Sequence, residues 1–279
     1  MRPTRIAPLA AMALLLAVLT RWDAPVRAER PEPGRDQARH ESRAGTGAPR
    51  PPLVSRAAWG ADERLVREHA AYAGKVRAVF LHHTNHPNGY DCADVPELLR
   101  ALQATHIEHM GWDDMGYNFV VDRCGTVYEG RGGGAARPVK GAHTQGFNAR
   151  TVGIAALGNF GAGTRVPQAM LDSIAAVAAW KLRPGADPHG RVRLVSSNGG
   201  SRFPKGARAR LEVISGHRDG YETSCPGDAL YARLPQLRDE VVRLRAAAAG
   251  PGTEPVRAPG GDGQDGREGA DGRPHGRTR

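Results

Sequence analysis

The chain has 279 residues and a formal net charge of +10, but its foldable part is shorter than its length. Residues Glu29 to Pro52 contain no Val, Ile, Leu, Met, Phe, Trp, Tyr or Cys, and Gly250 to Arg279 carry nine Gly and four Pro in 30 residues without a collagen-like period, so neither stretch offsets the entropy of ordering. The 35 arginines, against four lysines, are scattered singly and not interleaved with aromatics, which argues against a nucleic-acid partner.

The first 28 residues begin with Arg2 and Arg5, run through an apolar stretch from Ile6 to Leu19 and reach Val26-Arg27-Ala28, the layout of a secretory signal peptide. The apolar run falls short of the roughly twenty residues that span a bilayer, so no stable membrane insertion is expected after cleavage. The signal carries four Arg against one Asp, a net +3, which leaves the mature chain near +7. An exported protein of that charge is drawn to an anionic surface such as a cell wall. The expected organisation is a signal peptide at 1–28, a disordered polar linker at 29–52, one domain at 53–247 and a disordered tail at 248–279. The protein is read as a secreted monomer, extracellular or cell-wall associated.

Within the domain, Val76 to Thr84 is an apolar run of strand formers closed by Asn85, Pro87, Asn88 and Gly89. Val95, Leu98, Leu99, Leu102, His106 and His109 recur at steps of three and four before Gly111, which predicts an amphipathic helix over 95–110. His106, in line with Leu98 and Leu102, reads as a core residue. Residues 117–121 and 126–129 flank Asp122-Arg123-Cys124-Gly125 and predict a hairpin. A strand over 151–157, a helix opened by Pro167, a short strand over 211–215 and a last helical stretch capped by Asp228 follow. Strands alternating with helices predict an α/β fold, a single domain with a central mixed sheet flanked by helices.

The chemistry-bearing segment is His217-Arg218-Asp219-Gly220-Tyr221-Glu222-Thr223-Ser224-Cys225-Pro226-Gly227, with a His and a Cys eight residues apart in one polar loop. A catalytic zinc takes three protein ligands and leaves a fourth position for water. His82 and His83 end a strand whose successive side chains face opposite ways, so one of them can join the pair. The cysteines number three, Cys92, Cys124 and Cys225, so one is a free thiol or a ligand.

Residues from about Val54 to Arg238 resemble the zinc-dependent N-acetylmuramoyl-L-alanine amidases and the peptidoglycan recognition proteins that share their fold, most like the secreted bacterial members. The matching motifs occur in family order: Ser55-Arg56-x-x-Trp59-Gly60, His82-His83-Thr84, Gly111-Trp112-x-Asp114-x-Gly116-Tyr117-Asn118-Phe119, Gly125 to Arg131, Gly141-Ala142-His143, Asn148-x-x-Thr151-Val152-Gly153-Ile154, and Ser215 to Asp219 through Cys225-Pro226-Gly227. The resemblance implies zinc held by His82, His217 and Cys225, and hydrolysis of the bond between N-acetylmuramic acid and L-alanine in peptidoglycan. It places Tyr117 beside the metal as oxyanion donor, with Thr223 as a lesser polar partner. His143 and Asn148, with His83, correspond to positions lining the groove for peptidoglycan and muropeptides, although Asn148 among glycines also reads as turn chemistry. Members that bind peptidoglycan without cutting it commonly lack a ligand, and this chain keeps all three. With Cys225 assigned to zinc, the resemblance and the cysteine parity pair Cys92 with Cys124. No carboxylate is clearly placed as general base; Glu129 and Asp219 are candidates and the role stays open.

Overall fold

The computed structural model describes residues 47–250; the expected signal peptide, the expected linker up to residue 46 and the expected tail from residue 251 lie outside the described residues. Strands β1 (Ala78–His83), β2 (Phe119–Val121), β3 (Val127–Glu129), β4 (Thr151–Ala156) and β7 (Ile214–Gly216) form one sheet in the order β3-β2-β4-β1-β7. β1 runs parallel to β4 and β7, β2 runs parallel to β4, and only β3 is antiparallel. The expected mixed sheet flanked by helices is therefore borne out.

Period-two alternation sorts the sheet's residues between two cores. Phe119, Val121, Val127, Val152, Ile154 and Ala156 point to one side, where they meet helix α3 (Gln168–Lys181) and helix α6 (Leu234–Ala249). Val120, Tyr128 and Ala155 point to the other, where they meet Trp59 of α1 (Arg56–Trp59) and Val95 and Leu99 of α2 (Val95–Ala104). Phe80 and Leu81 of β1 are wholly buried, as a central parallel strand requires.

The helix expected over 95–110 keeps its extent but changes pitch. α2 ends at Ala104, Thr105–His109 widens into a π turn, and Gly111 closes it at φ 71°. Such a turn inserts an extra residue per repeat and re-aims the side chains that follow. The hairpin between β2 and β3 is organised by buried Asp122, whose Oδ1 accepts from the Cys124 and Thr126 N–H groups at 2.9 and 2.8 Å. Cys124 is bonded to Cys92, with a Cα–Cα distance of 6.4 Å, tying the hairpin to the turn (Cys92–Asp94) before α2.

Three features differ from expectation. Strands β5 (Arg191–Val195) and β6 (Arg208–Glu212) form a separate antiparallel hairpin, so the strand expected over 211–215 is the end of β6 and the start of β7. The last helical stretch is two helices, α5 (Asp228–Tyr231) and α6, because Pro235 sits in the first turn of α6, where a missing N–H costs nothing. The packed chain also begins before residue 53: Ala48 is 7% exposed in the main core and the Arg50 guanidinium lies 5.7 Å from the Trp180 ring. A segment without large apolar side chains can still lay one methyl and one guanidinium stem on a surface others have built.

Candidate metal centre

The site lies where the C-terminal end of β1 meets the segment after β7. Helix α4 (His217–Gly220) starts directly from β7, so the strand carries His217 alongside the end of β1. Cys225 is brought back to it by a tight loop. The Arg218 N–H donates to the Cys225 carbonyl at 2.9 Å, and the Arg218 guanidinium donates to the Ser224 carbonyl and to Asp228 Oδ1 at 2.8 Å. Gly227, at φ 87°, closes the loop where a Cβ would lie 2.2 Å from the Phe160 carbonyl oxygen, so only glycine fits.

His82 faces inward at 1% exposure and His83 faces the other way, as strand alternation requires. The His82 and His217 rings lie 4.4 Å apart, and Cys225 Sγ is 3.8 Å from His82 Nδ1. One donor atom from each of His82, His217 and Cys225 lies within 4.8 Å of the other two. Bonds of about 2.0–2.3 Å in a tetrahedral shell separate neighbouring donors by about 3.5 Å, so a small contraction suits a zinc-sized ion. The donor set is also chemically right, two imidazoles and a thiol. Burial lowers the His82 imidazole well below its ordinary value, with His217 adding to it, and lowers His217 to about 4, so both nitrogens are held neutral as ligands must be. Burial pushes the Cys225 thiol up to about 12, while the His83 N–H, 3.3 Å from the sulfur, works against that rise. A thiolate there needs a cation beside it. Among the described residues the other comparable grouping is Cys92, Asp122 and Cys124, whose two sulfurs are spent on the disulfide.

The back of the site is built by His143, which sequence reading assigned to the groove. It is 5% exposed, its Nδ1 lies 3.2 Å from His82 Nε2 and its Nε2 lies 3.4 Å from Thr151 Oγ1, which donates onward to the Phe147 carbonyl. Burial lowers its pKa to about 3, so it is neutral; the tautomer with its proton on Nε2, toward Thr151, lets Nδ1 accept from His82 Nε2, with Thr144 Oγ1 3.0 Å from the same Nδ1. This leaves His82 Nδ1 as the free lone pair facing Cys225. His143 thus stands directly behind His82. Asn148 is likewise drawn to the backbone, its Oδ1 accepting from the His143 and Thr144 N–H groups at 2.8 Å each, which is the turn chemistry its neighbours suggested. Of the three groove residues expected, His83 and Asn148 are partly exposed, and His83 Nδ1 accepts from the Phe160 N–H at 3.4 Å.

Tyr117 lies against the cluster, its ring centroid 5.2 Å from that of His82, and its hydroxyl donates to the His83 carbonyl at 3.4 Å. Burial raises its pKa, keeping the phenol a donor. Thr223 Oγ1 accepts from the Cys225 N–H at 3.1 Å and keeps its own proton free to donate. Asp219 does not stand free as a base: its Oδ2 accepts from the Gly216 N–H at 2.8 Å and its Oδ1 from the Tyr231 hydroxyl at 2.7 Å. Glu129 sits on β3, three strands from β1, or roughly 14 Å. Sequence reading missed Arg218 as the clamp of the Cys225 loop and Tyr221, whose ring stacks on His217 at 5.4 Å. His106, read as core, is 3% exposed, accepts from the Gly116 N–H at 3.2 Å and packs against Trp112 and Tyr117.

Residues 72–228 match the sequence family described as N-acetylmuramoyl-L-alanine amidase. The chain is 34% identical over 194 residues to an N-acetylmuramoyl-L-alanine amidase of Sus scrofa, an alignment covering 66% of this chain and 27% of that longer protein. It is 31% identical over 182 residues to peptidoglycan-recognition protein SC2 of Drosophila simulans, covering 65% of this chain and 84% of that one. Among solved structures, Drosophila peptidoglycan recognition protein SA superposes with a TM-score of 0.51 at 25% identity, covering 67% of this chain and 91% of its own.

Proposed function

Because this chain belongs to the N-acetylmuramoyl-L-alanine amidase family, we propose that it hydrolyses the amide between N-acetylmuramic acid and L-alanine in peptidoglycan, with a zinc ion held by His82, His217 and Cys225. The observation that carries this reading is the convergence of three donor atoms within 4.8 Å from two strand ends and a clamped loop. Three protein ligands are the number that leaves one position of a tetrahedral shell for water, whereas a structural site takes four.

A bound zinc supplies Lewis acidity to the scissile carbonyl and lowers the pKa of a water toward about 7. The chain's own residues do the rest. His143 fixes the ring orientation and tautomer of His82 through its 3.2 Å contact. Tyr117, a phenol with its proton retained, turns from the His83 carbonyl to donate to the oxygen that gains charge as the carbonyl carbon is attacked. Thr223 offers a second, weaker donor next to Cys225. Peptidoglycan is accordingly the proposed partner. The Cys92–Cys124 bond supports action outside the cytoplasm, where disulfides persist.

The test is mass spectrometry of a purified muropeptide digest before and after chelation. Free stem peptide should appear with zinc-loaded protein, vanish on chelation and return on adding zinc, and His217→Ala should lose bound metal and activity together. Full hydrolysis by metal-free protein would end the metal assignment. Binding of muropeptide without cleavage by zinc-loaded protein would replace the hydrolase by a recognition protein.

A further inference from the structure

We propose that the outward face of the β5–β6 hairpin is a docking surface for a linear phosphodiester polyanion borne by the bacterial cell wall. Alternation buries Val192, Leu194, Ala209 and Leu211 and turns the other row of each strand to solvent. The register sets Arg191 opposite Glu212, Arg193 opposite Arg210 and Val195 opposite Arg208. Glu212 neutralises Arg191 at 2.7 Å. Among the described residues, the side chains of Arg193, Arg208 and Arg210 have no ion-pair or hydrogen-bond partner, and exposed Lys205 extends the strip into the connecting loop.

Like charges directly opposite in an antiparallel pair repel, so Arg193 facing Arg210 works against the hairpin unless an anion lies between them. Side chains on one row repeat about every 7 Å and the two rows stand about 5 Å apart, so the face offers a ladder of guanidinium forks to successive phosphates. Val195, 58% exposed, adds an apolar contact for the carbon links between phosphates. The hairpin is tied to the segments that flank the metal centre. The loop after β5 donates from Ser197 N–H to the Gly146 carbonyl at 2.9 Å and from Arg202 N–H to the Gly220 carbonyl at 3.0 Å, and β6 ends five residues before His217.

The face carries no aromatic side chain on which bases would stack, which disfavours nucleic acid, and its single valine gives no purchase in a bilayer. Choosing a polymer attached to the wall rests on the peptidoglycan reading above. A chain held on this strip would keep the enzyme on its insoluble substrate.

The experiment compares full-length mature protein with the triple variant R193Q/R208Q/R210Q for sedimentation with purified walls, native or stripped of phosphodiester polymer by hydrofluoric acid, across a salt series. The triple variant should bind native walls about tenfold more weakly with a shallower salt dependence, the two proteins should bind stripped walls alike, and both should turn over soluble muropeptide equally. Equal binding of the two proteins to native walls overturns the proposal. Tighter binding to duplex DNA than to walls, lost in the variant, reassigns the surface to nucleic acid. No turnover by either protein would sink the hydrolase reading while leaving the wall-binding comparison intact.

Discussion

Removing the imidazole of His143 tests whether the hydrogen bond behind His82 sets the metal affinity of the site. His143 Nδ1 is 3.2 Å from His82 Nε2, and no metal-ligating atom belongs to His143 itself. Loss of such a supporting partner typically costs 10–100-fold in metal affinity, or about 1.4–2.7 kcal/mol, so His143→Ala should weaken zinc binding by that factor. His143→Gln, which keeps an acceptor, should recover part of it. The structure supplies an independent way to move the same ring. Gly153 of β4 faces it so closely that a Cβ there would lie 2.3 Å from His143 Cγ, and Gly153 has no left-handed backbone requirement that would confuse the result. Gly153→Ala should therefore push the ring off His82 and reproduce the loss of affinity, yet cost little in a His143→Ala background, where nothing is left to collide with. Zinc affinity is read by competition with a chromophoric chelator, and urea melts of the metal-free variants report the cavity cost separately. Unchanged affinity in His143→Ala, or an undiminished effect of Gly153→Ala in the double variant, would refute the reasoning.

Tyr117→Phe should leave zinc bound and the melting temperature intact while slowing muropeptide cleavage by about two to three orders of magnitude, as for loss of one oxyanion donor; unchanged turnover would make Tyr117 a packing residue only. Replacing Cys92 and Cys124 by Ala opens a loop with a sequence separation of 32 and should cost about 3–4 kcal/mol in urea unfolding, with zinc content unchanged. His106, lowered by burial to about 4, binds its proton in the unfolded chain before the folded one, so its stabilising effect is complete above about pH 6.5 and is lost as pH falls toward 4. His106→Asn should flatten the stability profile in that window, at the cost of a lower plateau, and an unaltered acid limb would show that other groups govern it.

The sequence by itself determined what depends on local order: the buried run that becomes β1, the periodic helices before Gly111 and after Pro167, the turn at Asp122, and a string of motifs in one order from Ser55 to Gly227. These follow from period, propensity and turn chemistry, which act over a few residues. The hairpin of β5 and β6 also carries a legible alternation, Arg-Val-Arg-Leu-Val against Arg-Ala-Arg-Leu-Glu, but arginine on every other position disguises it as polar loop. What only the tertiary structure decided is which polar side chains meet. His143 is 61 residues from His82 and reads as a groove residue until the fold puts β4 beside β1 and turns its ring inward. Asp219 sits two residues from His217 and stays open as a candidate base until Gly216 and Tyr231 occupy both its oxygens. Scattered arginines become a strip only when strand register stacks them. A side chain's partners across the fold are set by register and burial, and neither is written in the residues that flank it.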